Sequence, residues 1–235
     1  MEQPISMDCM KPLAFWDWTG TLADESELDK AVCEGMEEEA ARNAGVPVER
    51  AREVFRRHLE HLEGRWQWHD YVRHGMKLGV EWRKCQEMHL GKLRLFPHAR
   101  EILEYARSKG YGNVLATNAV SQVIRMRVEH AGLSGLFDAI IGSDDADALK
   151  SEGRHFVLAL DELGADPRVF ASSYSIGDNP VQDIESAKRY GIRTVFCAYG
   201  SGSMHYHSTH ISAQHGEEAG ADYVITSLSQ IRSII

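Results

Sequence analysis

The chain has 235 residues, enough for one large domain or a core with a smaller insert, and 43% of them are hydrophobic, so a real core is affordable and global disorder is excluded. The formal net charge is -9 with no long basic run, which disfavours a nucleic-acid partner. The four cysteines, Cys9, Cys33, Cys85 and Cys197, form no CxxC pair, so neither a disulfide framework nor a zinc ribbon is indicated and a reducing, cytoplasmic setting is expected. No stretch approaches the ~18 apolar residues of a membrane span.

Taken in chain order, Leu13–Trp16 is a short apolar run ending at Asp17 and Gly20, and reads as a buried strand followed by a turn. Residues 25–88 change character. They are rich in Glu, Arg, His and Ala, with apolar positions such as Val54, Leu59 and Leu62 at helical spacing, and read as several helices without strands. Ala99–Ser108 is helical again. Strands are expected at residues 114–116, 137–141, 174–176, 193–197 and 223–225, with helices over 120–130 and 156–163 and one starting at Pro180. This alternation implies an α/β fold, a doubly wound and mostly parallel sheet, with the helical stretch inserted after the first strand as a cap. The expected boundaries are residues 1–22 and 92–235 for the Rossmann-like core and 23–91 for the cap. Residues 199–220 are rich in Gly, Ser and His and read as a long loop. His205, His207, His210 and His215 lie there, and a solvated loop is preferred to a zinc site because no carboxylate or cysteine stands at a ligand spacing.

Ligands of open α/β sheets bind beyond the carboxyl ends of the strands. Three strands end in polar groups suited to phosphate: Asp17-Trp18-Thr19-Gly20-Thr21-Leu22, then Thr117-Asn118, then Gly177-Asp178-Asn179-Pro180-Val181-Gln182-Asp183, with Lys150 between the last two. These offer a carboxylate nucleophile, hydroxyl and amide donors, a cation, and carboxylates for a hard metal. Each residue alone has an ordinary reading: Asp17 as a turn former, Thr117 and Asn118 as loop polar groups, Lys150 as a surface lysine, Asp178 and Asp183 as helix caps. Their order and strand contexts favour the joint reading.

The segments DWTGTL, LATN, ALKSEGRHF and IGDNPVQD resemble, in order, the four motifs of the haloacid dehalogenase superfamily, over roughly residues 12 to 198. The phosphoglycolate phosphatase-like members are the most similar. The lysine segment has Ser151 and Gly153 where prolines often stand. The resemblance implies that Asp17 is a nucleophile that forms an aspartyl-phosphate on a small phosphorylated metabolite. Thr117 and Lys150 would hold the phosphoryl group. The residues themselves offer Thr19, Asn118 and the cap residue Arg65 as further substrate contacts. Asp178, Asp183, Asp17 and the backbone carbonyl of Thr19 would bind Mg2+.

One departure stands out. Phosphatases of this family usually carry a second Asp two residues after the nucleophile, as general acid and base; here that position is Thr19. Leaving groups that need little protonation, such as acyl, anhydride or aryl phosphates, are therefore expected to be favoured. Two other hydrolases lack this aspartate. Phosphonoacetaldehyde hydrolases need a cap lysine, and none stands between Lys30 and Lys77; haloacid dehalogenases lack a pair such as Asp178 and Asp183. A phospho-ligand binding protein with little turnover is the alternative from a different class. The cap tryptophans Trp66 and Trp68 are expected to pack between cap helices rather than to touch substrate.

Overall fold

The computed structural model describes residues 11–199 and 220–235. The histidines of the long loop lie outside the described residues.

The first strand, β1 (Leu13–Trp16), is apolar at every position and buried at every position. Its alternation serves two faces: Ala14 and Trp16 enter one hydrophobic cluster, Leu13 and Phe15 the other. A strand covered on both sides reads as a continuous apolar run, which is the pattern of a parallel sheet. After the turn at Asp17, a two-residue strand β2 (Ala23–Asp24) leads into α1 (Ser26–Ala44), α2 (Val48–Leu62), α3 (Tyr71–Leu78) and α4 (Trp82–His89). In α1, Leu28, Val32, Met36 and Ala40 recur every four residues and are buried. A second two-residue strand, β3 (Arg94–Leu95), pairs antiparallel with β2. The way into the helical stretch and the way out are thus stitched together, a feature too short to announce itself in hydrophobic periodicity.

The chain continues as α5 (Ala99–Ser108), β4 (Gly112–Ala116), α6 (Ser121–His130), β5 (Ala139–Ile141), α7 (Ser143–Ala146), α8 (Arg154–Leu163) and β6 (Tyr174–Gly177). A π-helical segment, Pro180–Glu185, and the short α9 (Ser186–Lys188) precede β7 (Arg193–Cys197) and β8 (Tyr223–Ile225). The six-stranded sheet has the order β5-β4-β1-β6-β7-β8 and every neighbouring pair is parallel. The chain steps outward from β1 through β4 to β5, then returns to the other side of β1 for β6. This reversal places the switch point at β1, so the ends of β1, β4 and β6 form one crevice. The doubly wound α/β core with a helical insert matches the sequence expectation. No helix among the described residues is long and apolar enough to cross a membrane.

Candidate active site

Asp17 follows β1 directly, and its N–H donates to the carbonyl of Ile176 on β6 at 2.9 Å, so the sheet ladder itself fixes its backbone. Its carboxylate meets the ammonium of Lys150, which is buried at 1% exposure. Lys150 also pairs with Asp183 at 2.6 Å and donates to the carbonyl of Ala116 at 3.2 Å. The amino group therefore sits where β1, β4 and the segment after β6 converge. Burial opposes its charge, but Asp17 and Asp183 outweigh that and hold Lys150 ionised. Burial also pushes the Asp17 carboxyl up to about 6, against the pull of Lys150 and with the help of Asp183.

Asp17, Asp178 and Asp183 each offer an oxygen within 4.8 Å of the others. Two of them lean on Lys150, whereas Asp178 forms no salt bridge among the described residues. Burial and then the charges of Asp17 and Asp183 raise Asp178 well above the ordinary carboxylate range. Three buried carboxylates against one ammonium leave a deficit of positive charge, and hard oxygens are the donors that a divalent cation such as Mg2+ takes. The donor set thus fits the metal that the motifs imply. Two glycines make the cluster possible. Gly20 has φ +84°, and a Cβ there would collide with Asp178 Oδ2; a Cβ on Gly177 would collide with Asp183 Cγ.

The helix-capping alternative for the two acidic residues goes to Asn179, whose side chain accepts from the N–H groups of Val181 and Gln182. Asp183 Oδ2 accepts from Asn179 N–H at 2.9 Å, which fixes the turn as well as Lys150. Thr117 is 3% exposed, and its Oγ1 accepts from Ala119 N–H at 3.2 Å, so its hydroxyl proton remains to be given. Asn118 is committed elsewhere: its Oδ1 accepts from Lys150 N–H at 2.8 Å and its Nδ2 donates to Gln182 at 2.7 Å. It ties the three loops together and holds the lysine in place. Thr19 is half-buried, and its hydroxyl donates to Glu25. Arg65 is exposed on the helical insert. Its neighbour Trp66 reaches across to the core and donates to Asp147 Oδ1 at 2.9 Å, while Trp68 packs on the cluster of Cys33, Phe55 and Leu59.

Arg127 and His155 escaped the sequence reading. Arg127 lies on the apolar stripe of α6, among Val123, Ile124 and Val128, and is buried. A charge at core spacing was its signal. His155, on α8, is fully buried; its Nε2 meets the carbonyl of Thr117 at 3.1 Å and therefore carries the proton, leaving Nδ1 without a partner among the described residues. Burial, with Lys150 nearby, lowers its pKa from 6.5 to about 4. As pH falls below 6.5 the unfolded chain takes the proton first, so stability is present above about 6.5 and lost down to about 4. The loss should reach about 3 kcal/mol at pH 4. Asp17, raised in the folded state, acts with the opposite sign between about 6 and 3.8. Urea unfolding of the wild type and of His155→Gln at pH 7 and pH 4 should therefore show the wild type losing about 3 kcal/mol more than the variant. Equal losses would remove this account of the buried imidazole.

Comparison with known proteins gives the following. The family model for haloacid dehalogenase-like hydrolases matches residues 12–191. A phosphoserine phosphatase of Thermus thermophilus is 33% identical over 106 residues, which is 45% of this chain and 41% of that protein. A phosphoglycolate phosphatase of Caulobacter vibrioides is 29% identical over 136 residues, 58% of this chain and 52% of that protein. The chain thus spans about half the length of the curated relatives it matches. A solved phosphatase structure from Thermococcus onnurineus superposes with a TM-score of 0.76 over 95% of this chain and 97% of the other at 24% identity, a likeness of fold.

Proposed function

Since the chain belongs to the haloacid dehalogenase-like hydrolase family, we propose that it removes phosphate from a small phosphorylated metabolite through an aspartyl-phosphate on Asp17. The observation that carries this reading is the buried Lys150 held between Asp17 and Asp183, with Asp178 beside them lacking a cation of its own among the described residues. A carboxylate at a strand end, next to a fixed ammonium and a second site for positive charge, is arranged to meet a dianion that it would otherwise repel. In the first step an Asp17 oxygen forms a bond to phosphorus as the bond to the leaving oxygen breaks. Thr117 supplies its free hydroxyl proton to a phosphoryl oxygen as a hydrogen bond, and Lys150 offsets the gathering charge. In the second step water attacks the same phosphorus and Asp17 is regenerated.

Asp17, Asp178, Asp183 and the carbonyl of Thr19 would hold Mg2+, which when bound supplies further charge neutralisation between the carboxylates and the phosphate. Asn118 acts on Lys150 rather than on substrate in this reading. Arg65, exposed on the insert and next to Trp66 in the chain, is the cap residue offered to an anionic substrate. The helical insert, which we place at residues 23–91, covers the crevice, and the remainder forms the core. The unpaired, buried Cys33, Cys85 and Cys197 support a cytoplasmic setting. The many carboxylates at the site disfavour nucleic acid as substrate.

The test is a panel of acyl, aryl and alkyl phosphates with Mg2+ and with excess chelator. Turnover is expected on acyl and aryl phosphates first, since Thr19 offers no carboxyl to protonate an alkoxide. It should fall at least about a hundredfold in chelator. Full activity in chelator would remove the metal from the reading, and saturable binding without turnover would convert the protein into a phospho-ligand binder.

A further inference from the structure

Thr19 stands two residues past Asp17, and its hydroxyl is already engaged. Oγ1 donates to Glu25 Oε2 at 2.7 Å. The other oxygen of that carboxylate, Oε1, accepts from the indole N–H of Trp18 at 2.6 Å and pairs with Arg127 at 2.8 Å. Arg127 also pairs with Asp29 at 2.8 Å and donates to Gln86. Trp18, Glu25, Asp29, Gln86 and Arg127 are all buried, so water does not compete for the bonds among them, while Thr19 itself is half-buried. Neither an indole nor a guanidinium has an acceptor atom. Oε1 therefore receives both of them, and Oε2 is left to receive the proton of Thr19.

A hydroxyl carries one proton and two acceptor lone pairs. With its proton held by Glu25, Thr19 can meet any third group only as an acceptor. A departing alkoxide needs a donor, so Thr19 does not suit the first half of the reaction. An attacking water molecule is a donor, so Thr19 suits the second half.

We propose that Glu25 is a positioning residue for the hydrolytic half-reaction: by holding the hydroxyl proton of Thr19, it makes Oγ1 an acceptor that orients the water attacking the phosphorus of phospho-Asp17. This rests on the aspartyl-phosphate reading above. In that step the bond from the water oxygen to phosphorus forms and the bond from phosphorus to Asp17 breaks. Its electron pair returns to the Asp17 carboxylate. Both water protons leave with the phosphate as dihydrogen phosphate, so neither Thr19 nor Glu25 changes protonation.

Glu25→Gln inverts the arrangement while keeping its shape. Trp18 and Arg127 both demand an acceptor, so the carbonyl oxygen of the new amide stays on their side and the NH2 faces Thr19. Oγ1 then accepts from it, and the hydroxyl proton turns toward the site. Thr19→Val removes the hydroxyl and leaves the pairing of Glu25 with Arg127 intact.

The experiment is rapid-mixing kinetics of the full chain on p-nitrophenyl phosphate with Mg2+. In both variants the steady-state kcat should fall about 10- to 100-fold, the scale on which misplacing a reacting group is felt. KM should fall with it, because phospho-Asp17 accumulates. A burst of nitrophenolate near one per active site should appear, with a burst rate within about threefold of the wild-type rate of phosphoenzyme formation. The double variant should match Thr19→Val, since one residue acts through the other. Formation and hydrolysis slowed together without a burst, or multiplicative losses in the double variant, would overturn the proposal. Thr19→Val carries the test if Glu25→Gln fails to fold. A wild type with no turnover removes the phosphatase reading and this inference with it, whereas an active wild type with burst-free variants removes this inference alone.

Discussion

Asp17→Asn is expected to lower kcat/KM on the best phosphate ester by at least about four powers of ten, or roughly 5 kcal/mol of barrier, while leaving the fold intact. The amide oxygen that replaces the carboxylate is a poor nucleophile and has no charge for Lys150 to balance during transfer. The structural cost is small for a definite reason. Lys150 keeps Asp183 as a partner at 2.6 Å, and one of three mutually repelling carboxylates disappears. The melting temperature should hold or rise. Steady-state rates with Mg2+ and a thermal melt measure both, and Asp17→Ala serves as a control against slow reversion of the amide to the acid. If the Asp17→Asn variant retained more than about one percent of wild-type turnover, no phosphoryl group would pass through this side chain.

Arg127→Met should carry the largest effect on stability. The guanidinium is 2% exposed and faces two carboxylates, Glu25 and Asp29, that are themselves buried. Burial opposes its charge, yet the two acids more than offset that and hold it ionised. Removing one side of such a group leaves buried charge uncompensated, which typically costs about 3–5 kcal/mol. Urea unfolding at pH 7 should show that loss as a midpoint shift of more than about 1 M, for a slope near ~3 kcal/mol per molar. Neutralising the partners as well, in Arg127→Met with Glu25→Gln and Asp29→Asn, should restore most of the loss, because an unpaired charge rather than missing volume is the cause. A single variant within about 1 kcal/mol of wild type would mean that water reaches this network.

The sheet was legible because its strands are buried on both faces and therefore spell short apolar runs; Leu13–Trp16 and Arg193–Cys197 needed no other signal. The ends of those runs carried most of the candidate site, since Asp17, Thr117 and Asp178 follow them directly and Asp183 stands in the segment after β6, whereas Lys150 was read from its place between two of the motifs. The structure brings these five to the mouth of one crevice and leaves Arg65 exposed on the insert. Asn118 was legible as a place but not as a partner, because an amide in a loop gives no hint that it will bridge Lys150 and Gln182. Glu25 was the hardest to see. It lies in an acidic stretch, six positions past Thr19, and nothing local distinguishes it from the exposed Glu27. Only the arrival of Arg127, about a hundred positions later in the chain, separates them.

The helical insert meets the core at two places held with very different force. Near the core, β2 is zipped to β3 and Glu25 and Asp29 are clamped on Arg127, so moving that end means breaking several buried bonds at once. Between α2 and α3 the polar contact described is one exposed hydrogen bond, Trp66 to Asp147, of a kind worth about 1 kcal/mol net. The insert is thus built in beside Arg127 and only lightly latched at Trp66. The weaker contact should open far more often than the buried ones, so local opening is expected first at Trp66. Opening at Trp66 would leave the spacing between Thr19 and Asp17, set beside the buried Arg127 pairing, as it is.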